Sequence, residues 1–455
     1  MIPRNSPIPF REAVRAWITI ALNSFGGPAA QIAVMHRVLV DERKWIGETR
    51  FLHALNYCML LPGPEAMQLV TYMGWLLHGY AGGLVAGTLF VLPGFVAILA
   101  LSSLYVAAAH VSLVAGLFVG LKAAVLAVVV QAVWRVGKRV LKHPFLMCLA
   151  VAAFVALFVF HVPFPYVILT AGIVGFFGSK LAPGVFSRGT GHGSAGDSDA
   201  LADRLLENHA APHMRPRPSR DLAVAFVLAL LWVAPVLAFR AAGADWDVFF
   251  RQGVLFSKAA VLTFGGAYSV LPYVSQQAVE VYGWLTPGEM MDGLGMAETT
   301  PGPLIQVVQF VGAIGAWRNP GILAPWLALL VGSWMTVWVT YTPCFLWILA
   351  GAPYVEAVRG RKALAGALTA ITAAVVGVIA NLAVWFALHV IFASVSDVSG
   401  PLGVRLALPD WDSVQFVPLV LAVGAFVALT RHGAGMIRTI VACAALGLVA
   451  HLVAG

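Results

Sequence analysis

Two short motifs rich in glycine and proline each occur twice in the chain, inside segments that are otherwise apolar. One is Phe-Gly-Gly (FGG), at residues 25–27 and 264–266, and the other is Pro-Gly-Pro (PGP), at residues 62–64 and 301–303. Glycine permits positive φ angles and close backbone approach, and proline is tolerated in the first turn of a helix. A helix that begins just after such a proline points its free amide groups at the break. This arrangement predicts an anion site.

Polar side chains beside the motifs are candidates for completing that site. Ser24 and Thr263 precede the glycines at equivalent positions, and each could donate its hydroxyl to an anion or bond back to its own helix. Glutamine amides near the breaks suit oxyanion oxygens, and the alternative is that they join helices to one another. The candidate binding residues are Ser24, Phe25, Gly26, Gly27, Pro62, Gly63, Pro64, Gln68, Lys258, Thr263, Gly265, Gly266, Thr300, Pro301, Gly302, Pro303 and Gln306.

Three ionisable residues lie near the motifs. Lys258 precedes Phe264 by less than two helical turns, and its ammonium group could balance a bound dianion or extend to a polar surface. Glu65 directly follows the first PGP, and Glu298 precedes the second by three residues. Two carboxylates would repel an anion, whereas in their protonated form they could carry protons. We therefore predict proton coupling at Glu65 and Glu298.

The composition indicates that these segments lie in a lipid bilayer. Of 455 residues, 60% are hydrophobic and 11% are charged, whereas a soluble domain carries roughly 25% charged residues. The sequence therefore predicts an all-α integral membrane protein. The net charge of +8 is explained by the excess of Lys and Arg that membrane proteins carry in their cytoplasmic loops. Nucleic-acid binding is therefore not needed to explain it. The four cysteines show no CxxC spacing, so neither a metal site nor a cofactor is expected.

The two halves of the chain are related by a tandem duplication. Phe25 and Phe264, Trp45 and Trp284, and Pro62 and Pro301 are all separated by 239 residues. Loop 36–50 carries four basic residues, whereas its partner 275–289 carries none. Because Lys and Arg mark cytoplasmic loops, this reversal predicts repeats of inverted topology, with broken or re-entrant helices at the FGG and PGP motifs. Two further loop pairs reverse as well, 134–143 with 393–413 and 106–112 with 355–362.

The pattern of apolar segments gives the organisation of the chain. We predict a first transporter repeat at 1–179, a flexible cytoplasmic linker at 180–220, a connecting transmembrane helix at 221–240 and a second, inverted repeat at 241–455. The predicted full crossings are 83–105, 111–133, 145–160, 163–179, 222–239, 321–349, 363–392, 416–430 and 434–453. The irregular histidines of the linker read as solvated residues.

The motifs resemble those of a known family over nearly the whole chain. SFGGPAAQIAVM, KWIGETRF and LPGPEAMQL in the first half, with TFGGAYSVLPYV and TTPGPLIQVVQFVG in the second, are similar to the bidomain chromate ion transporters. The resemblance implies a multi-pass protein of the bacterial inner membrane that exports chromate and confers chromate resistance. It also implies that the FGG and PGP segments hold the substrate. Ala267 follows the second FGG where the first has Pro28, so the two need not contribute equally.

Other functions are open on the residues alone. A transporter or channel for sulfate or a related oxyanion fits the same site chemistry, since sulfate also presents four oxygens and two charges. A membrane-embedded reductase or hydrolase is disfavoured, because no Rossmann, CxxCH, GxSxG or HExxH pattern is present. The expected partners are chromate, with sulfate as a second anion, and the lipid bilayer, and a homodimer is the assembly considered.

Overall fold

The computed structural model describes residues 8–108, 112–186, 213–354, 362–400 and 405–454. The helices up to the linker are α1 (Phe10–Leu22), α2 (Gly27–His36), α3 (Glu48–Leu60), α4 (Glu65–Ala108), α5 (Ser112–Val140), α6 (Pro144–Phe158), α7 (Phe164–Leu181) and α8 (Pro183–Phe186). Those that follow are α9 (Pro218–Ala242), α10 (Asp247–Leu262), α11 (Leu271–Ser275), α12 (Pro287–Thr299), α13 (Val307–Arg318), α14 (Pro325–Gly351), α15 (Lys362–Ile391), α16 (Phe416–Thr430) and α17 (Met436–Ala454).

The helical class predicted from composition is confirmed, with one small addition. Strands β1 (Val395–Ser399) and β2 (Arg405–Pro409) pair antiparallel, with Val395 opposite Pro409. This hairpin lies in a segment predicted only as a charged loop. Residues 187–212, which form most of the predicted linker, lie outside the described residues.

Seven helices in the described part of the chain are long and apolar enough to cross a membrane, so the protein is a multi-pass membrane protein. They are α4, α5, α7, α9, α14, α15 and α17. Two further predicted crossings correspond to α6 and α16, which have 15 residues each. At 1.5 Å per residue each is about 22 Å long, which is shorter than a hydrocarbon core of about 30 Å.

Elements of the first half recur in the second at the sequence offset of the motifs. Helix α3 spans residues 48–60, and adding 239 gives residues 287–299, the bounds of α12. The same addition converts the π-helical segment Arg37–Glu42 into Gln276–Val281, which is also π-helical. The unusual hydrogen-bonding pattern of a π-helix, found twice at equivalent positions, is independent support for the duplication.

Helix α4 is interrupted at His78 and Gly79. Their φ angles are −135° and +63°, outside the helical range, so the helix consists of segments 65–77 and 80–108. The interruption lies a few residues before the start of the predicted crossing at 83–105. Segment 65–77 has the length of α3, about 20 Å, which is well short of a full crossing.

The described chain forms two compact units, each built from parts of both repeats. The first unit comprises the described residues of Met1–Leu99, Thr190–Ala267 and Thr300–Arg361. The second unit comprises those of Ala100–Gly189, Tyr268–Thr299 and Lys362–Gly455.

In the first unit, α14 packs against α9, α10 and α13. Proline is tolerated inside α9 because its missing N–H is compensated from α14. Pro235 cannot donate to the carbonyl of Leu231, and the indole of Trp338 donates to that carbonyl instead, at 2.7 Å. Helix α9 exposes a broad apolar face, as expected of a lipid-facing helix.

In the second unit, α15 packs against α6 and α7, and α5 packs against α16 and α17. The α5–α17 contact depends on small residues. A Cβ at Gly120 would lie 1.8 Å from the carbonyl oxygen of Cys443, and a Cβ at Gly447 would lie 2.4 Å from the amide nitrogen of Gly120. Such close backbone approach is the usual way in which membrane helices associate.

Candidate functional site

The FGG and PGP motifs all lie in the first unit, between helix ends. The first FGG separates α1 from α2, and the first PGP separates α3 from α4. The second FGG follows the end of α10 at Leu262. The second PGP leads through a short 3-10 turn, Leu304–Gln306, into α13.

Glycine is required at the motifs by the backbone itself. The φ angles are +83° at Gly26, +78° at Gly27, +120° at Gly63, +77° at Gly265, +99° at Gly266 and +107° at Gly302. Residues with a Cβ rarely adopt these angles, because the Cβ clashes with the following carbonyl. The repeated glycines therefore maintain backbone turns that other residues would strain.

Each PGP motif is hydrogen-bonded to the residue that directly precedes the FGG motif of the other repeat. The amide of Gly302 donates to the carbonyl of Ser24 at 2.9 Å, and the amide of Gly63 donates to the carbonyl of Thr263 at 2.7 Å. Because Gly63 and Gly302, like Ser24 and Thr263, are 239 residues apart, the two bonds are equivalent by repeat. The motifs thus form one cross-linked cluster, which we call the motif cluster.

The two hydroxyls predicted as anion donors bond back to their own helices. Ser24 Oγ donates to the carbonyl of Ile20, and Thr263 Oγ1 donates to that of Ala259, both at 2.6 Å. Each hydroxyl has one hydrogen, so in this structure neither hydrogen points at a ligand. Of the two alternatives considered for these hydroxyls, the structure thus has the one in which each bonds back to its own helix.

Glutamine side chains add further bonds to the backbone of the motif cluster. Gln31 Nε2 donates to the carbonyl of Gly302 at 2.6 Å, across 271 residues of sequence, and Gln68 Nε2 donates to the carbonyl of Pro62 at 2.6 Å. Both side chains are fully buried. Their amides fix the orientation of the PGP backbone.

A second polar chain runs from α13 to α4 and α14. Gln306 Nε2 donates to Gln309 Oε1 at 2.8 Å, and Gln309 Nε2 donates to the carbonyl of Phe95 at 3.0 Å. The hydroxyl of Tyr341 donates to Gln306 Oε1 at 2.7 Å. Tyr341 and Phe95 were not predicted as site residues, since neither is close to a motif in sequence.

Helices α4 and α14 contact the PGP glycines at equivalent positions. The sequence PGFVAILA at 93–100 matches PCFLWILA at 343–350, so Gly94 is equivalent to Cys344. A Cβ at Gly302 would lie 3.2 Å from the Cα of Gly94, and a Cβ at Gly63 would lie 3.1 Å from the Sγ of Cys344. The similarity of these two segments thus identifies Gly94 and Cys344 as neighbours of the motif cluster, which the FGG and PGP motifs alone do not reveal.

The ionisable candidates occupy different environments. Glu65 is half-buried, and its Oε1 lies 3.7 Å from the position that a Cβ at Gly266 would take. Its carboxyl is thus next to the second FGG. Lys258 is exposed on α10, whereas Thr263 at the end of that helix is buried. The exposed position of Lys258 fits the alternative in which its ammonium group reaches a polar surface.

The remaining predicted acid, Glu298, belongs to the second unit. It is 1% exposed, and the hydroxyl of Tyr268 donates to its Oε1. Asp292, on the same helix, is also buried and was not predicted; the signal that could have identified it is a carboxylate within the apolar segment MMDGLGM.

The exposure of the predicted binding residues shows where a ligand could reach them. Buried residues are Ser24, Gly27, Gly63, Pro64, Gln68, Thr263, Gly266, Thr300, Gly302, Pro303 and Gln306. Half-buried residues are Phe25, Gly26, Pro62 and Pro301, and Gly265 is exposed. Within the described residues no group of His, Cys, Asp or Glu side chains is placed to hold a metal ion.

Both repeats of the chain match one protein family. The family model described as "Chromate transporter" matches residues 11–176 and 250–448, which together cover both repeats and all the motifs. The chain belongs to the chromate transporter family. It is 34% identical to a chromate transport protein of Pseudomonas aeruginosa over 379 residues, 82% of this chain and 80% of that protein. A chromate transport protein of Cupriavidus metallidurans is 26% identical over 81% of this chain and 80% of its own length.

A shorter relative bears on the duplication. The uncharacterized transporter YwrB of Bacillus subtilis is 30% identical over 135 residues, which are 30% of this chain and 68% of YwrB. YwrB is therefore about 200 residues long (135/0.68), the size of one repeat of this family member. No solved structure gives a significant match. As a member of a family of transporters, the chain is assigned to transport rather than to enzymatic catalysis.

Proposed function

We propose that this protein exports chromate from the bacterial cytoplasm across the plasma membrane, as a secondary active transporter driven by a proton or counter-anion gradient. The observation that carries the proposal is the motif cluster, with its positive-φ glycines and its reciprocal PGP–FGG hydrogen bonds, in a chain of the chromate transporter family. The same site chemistry fits sulfate and related oxyanions, and competition between the anions is therefore part of the test.

The chemistry of chromate suits backbone recognition. Chromate is a tetrahedral dianion with four acceptor oxygens and no donor. Helix α4 begins at Glu65 and the helical turn at Leu304 follows Pro303, so both PGP motifs stand at helix N-termini within the motif cluster. The first-turn amides of a helix lack intrahelical partners and carry a partial positive charge. Two such termini offer donors without requiring a buried lysine or arginine.

The carboxyl of Glu65 adds a condition on binding. It lies beside Gly266 in the motif cluster, where its negative charge would oppose a dianion. Protonation of Glu65 removes that repulsion. The protonation state of Glu65 would therefore affect the affinity of the motif cluster for the anion.

The membrane potential acts in the direction of export. An interior-negative potential is worth about 2.3 kcal/mol per elementary charge per 100 mV, so it expels a dianion with about 4.6 kcal/mol. This corresponds to an equilibrium ratio of about 2000-fold per 100 mV, because 1.4 kcal/mol is a factor of ten. Export thus follows from the charge of chromate, and coupled protons would steepen it.

Uptake by inside-out membrane vesicles tests the proposed function. We expect vesicles that contain the protein to accumulate radiolabelled chromate under an interior-positive potential, and to lose it when the potential is dissipated. Vesicles without the protein are the control. Sulfate uptake that unlabelled chromate does not inhibit would support the alternative oxyanion transporter. The absence of protein-dependent chromate uptake would refute chromate export.

We further propose that the two repeats have inverted topology, with loop 36–50 and the linker in the cytoplasm. Glu42 and Val281 are equivalent by the offset of 239, and both are exposed, at 57% for the Glu42 side chain and 59% for Val281. Cysteine replaces each singly in a variant in which the exposed Cys148 is serine. In intact cells an impermeant thiol reagent should label Val281→Cys and leave Glu42→Cys unlabelled until lysis. Equal labelling of the two in intact cells would contradict inversion.

A further inference from the structure

Helix α12 in the second unit carries two buried carboxyl groups. The Asp292 side chain is 4% exposed, and Glu298 is 1% exposed. Ionisable groups are costly in such surroundings and are commonly functional in membrane proteins. The separation of six residues places the two groups about 9 Å apart along the helix axis.

Asp292 is held from two other helices. Nζ of Lys122, on α5, lies 3.5 Å from Oδ1, and the hydroxyl of Tyr105, on α4, donates to Oδ2 at 3.0 Å. Oδ1 is buried and faces the ammonium group of Lys122 at ion-pair distance, with no closer donor among the described residues. Glu289, on α12 itself, is the second charged group near Asp292. Asp292 therefore has one oxygen fixed by a tyrosine and one oxygen that faces a lysine without a short hydrogen bond.

Glu298 repeats this arrangement near the other end of the helix. The hydroxyl of Tyr268 donates to Oε1, while Oε2 is buried and has no hydrogen-bond donor in the described part of the chain. Arg135, also on α5, is the charged group that acts on Glu298. Each carboxyl thus combines a tyrosine donor, a second oxygen without a short hydrogen bond in the described residues, and a basic residue of α5.

An open, buried carboxylate oxygen is a place for a proton. Leaving a charged acceptor without a donor costs more than leaving a neutral one, and a proton on the open oxygen removes this charge. The basic residues of α5 favour the opposite state, in which the carboxylate is ionised. Burial thus favours the protonated form of each carboxyl, and the basic residue of α5 favours the ionised form.

The first repeat lacks the pair. Subtracting 239 from 292 and 298 gives His53 and Met59 on α3, so neither carboxyl has an acidic counterpart. The asymmetry is unexpected for groups that only join helices in a duplicated fold. It is expected for a proton route, because one route is sufficient for coupling.

We propose that Asp292 and Glu298 are a proton-carrying pair, and that each transport cycle moves protons through them into the cell as chromate leaves. The proposal rests on chromate export as proposed above, and it adds Asp292, Lys122, Tyr105 and Tyr268 to the coupling machinery. If both carboxyls deliver a proton, two positive charges enter while two negative charges leave. Four charges then cross per cycle, which makes the driving force steeply dependent on voltage.

Purified full-length protein in proteoliposomes separates proton coupling from chromate transport. Chromate–chromate exchange, measured without any gradient, requires the anion site but no proton movement. Accumulation driven by a pH gradient, with proton flux followed by an internal pH dye, requires both. Asp292→Asn and Glu298→Gln should retain exchange within about twofold and should lose at least tenfold in pH-driven accumulation, together with the proton flux. Asp247→Asn is the control, since Asp247 is 46% exposed and paired with Arg251 at the protein surface.

Further variants keep the test decisive if Asp292→Asn folds poorly. The double variant Asp292→Asn/Lys122→Met removes both charges of the Asp292–Lys122 ion pair. It should lose proton flux in the same way as Asp292→Asn. Tyr105→Phe and Tyr268→Phe keep the carboxyls and remove one donor, which should move the pH of half-maximal proton flux upward by about one unit. A merely structural pair would leave these pH profiles unchanged.

The outcomes distinguish the two proposals. Wild-type protein that exchanges chromate without moving protons overturns the proton pair and leaves chromate transport standing. The same holds if the charge-removing variants keep wild-type proton flux. Wild-type protein that exchanges no chromate overturns both proposals.

Discussion

Replacing Gly302 by valine should reduce chromate transport at least 100-fold while the protein still reaches the membrane. Gly302 has a φ of +107°, and a Cβ there would lie 3.2 Å from the Cα and 3.4 Å from the amide nitrogen of Gly94. These are backbone atoms of α4, so no side chain can rotate away. The left-handed conformation costs about 1–2 kcal/mol and overpacking a further 1–3 kcal/mol. Any shift of Gly302 also disturbs its bonds to Ser24 and Gln31.

The control for this substitution is Gly424→Val. Gly424 lies in α16, is exposed and has no atom within 4 Å of its Cβ position, so we expect transport within about twofold of wild type. Both variants are compared in inside-out vesicles at equal membrane levels of protein. Gly302→Val that transports at more than a tenth of the wild-type rate would contradict a role for this turn in the anion site.

The equivalent substitution in the first repeat should be less severe. A Cβ at Gly63 would meet Nε2 of Gln68 at 2.8 Å and Sγ of Cys344 at 3.1 Å, and both are ends of side chains that can move. We therefore expect Gly63→Val to transport less than wild type and more than Gly302→Val. The sequence alone predicts equal effects, because the motifs are identical. The structure predicts different effects, because Gly302 faces backbone atoms of Gly94 whereas Gly63 faces side-chain atoms, among them the Sγ of Cys344.

What could be predicted from the sequence is what depends on residue type alone. Positive φ angles at the motif glycines follow from the absence of a Cβ, and the apolar runs of the membrane helices follow from the solvent. The duplication was readable because tryptophan, glycine and proline have few substitutes at such positions. The bounds of α3 and α12 differ by the same offset of 239 residues, and so do those of the two π-helical segments.

The contacts of the candidate site depend on packing and could not be predicted. Nothing near Ser24 in sequence indicates that its carbonyl accepts from Gly302, whereas the bond of its hydroxyl back to its own helix was one of the two alternatives considered. The sequence left two positions open for Lys258, beside the anion or at a polar surface, and its exposure on α10 depends on how that helix packs. The partners of Asp292 on α4 and α5 are more than 150 residues away in sequence, so its contacts could not be read from the sequence.

Substitution of Gly94 should have the second large effect, and it tests the contact between α4 and the second PGP. A Cβ at Gly94 would lie 2.7 Å from the carbonyl oxygen of Pro301 and 3.5 Å from the Cα of Gly302. We expect Gly94→Cys, which copies the equivalent residue Cys344, to reduce transport at least tenfold, because the obstructing atom belongs to the PGP backbone. Cys344→Gly, the reverse exchange, only removes a side chain and should retain most of the activity.

Gly94→Ala is best compared with a glycine-to-alanine substitution at another helical position that has room for a Cβ. Gly137 in α5 has the nearest side-chain atom 3.6 Å from its Cβ position, which is ordinary contact. Alanine is favoured over glycine in helices by about 1 kcal/mol, so Gly137→Ala should raise the thermal unfolding midpoint slightly and preserve transport. Gly94→Ala should lower both, because the clash with Pro301 outweighs the helix preference. If the two alanine variants behaved alike, the close approach of α4 to the second PGP would not be needed for transport, and the anion site would have to depend on the FGG turns alone.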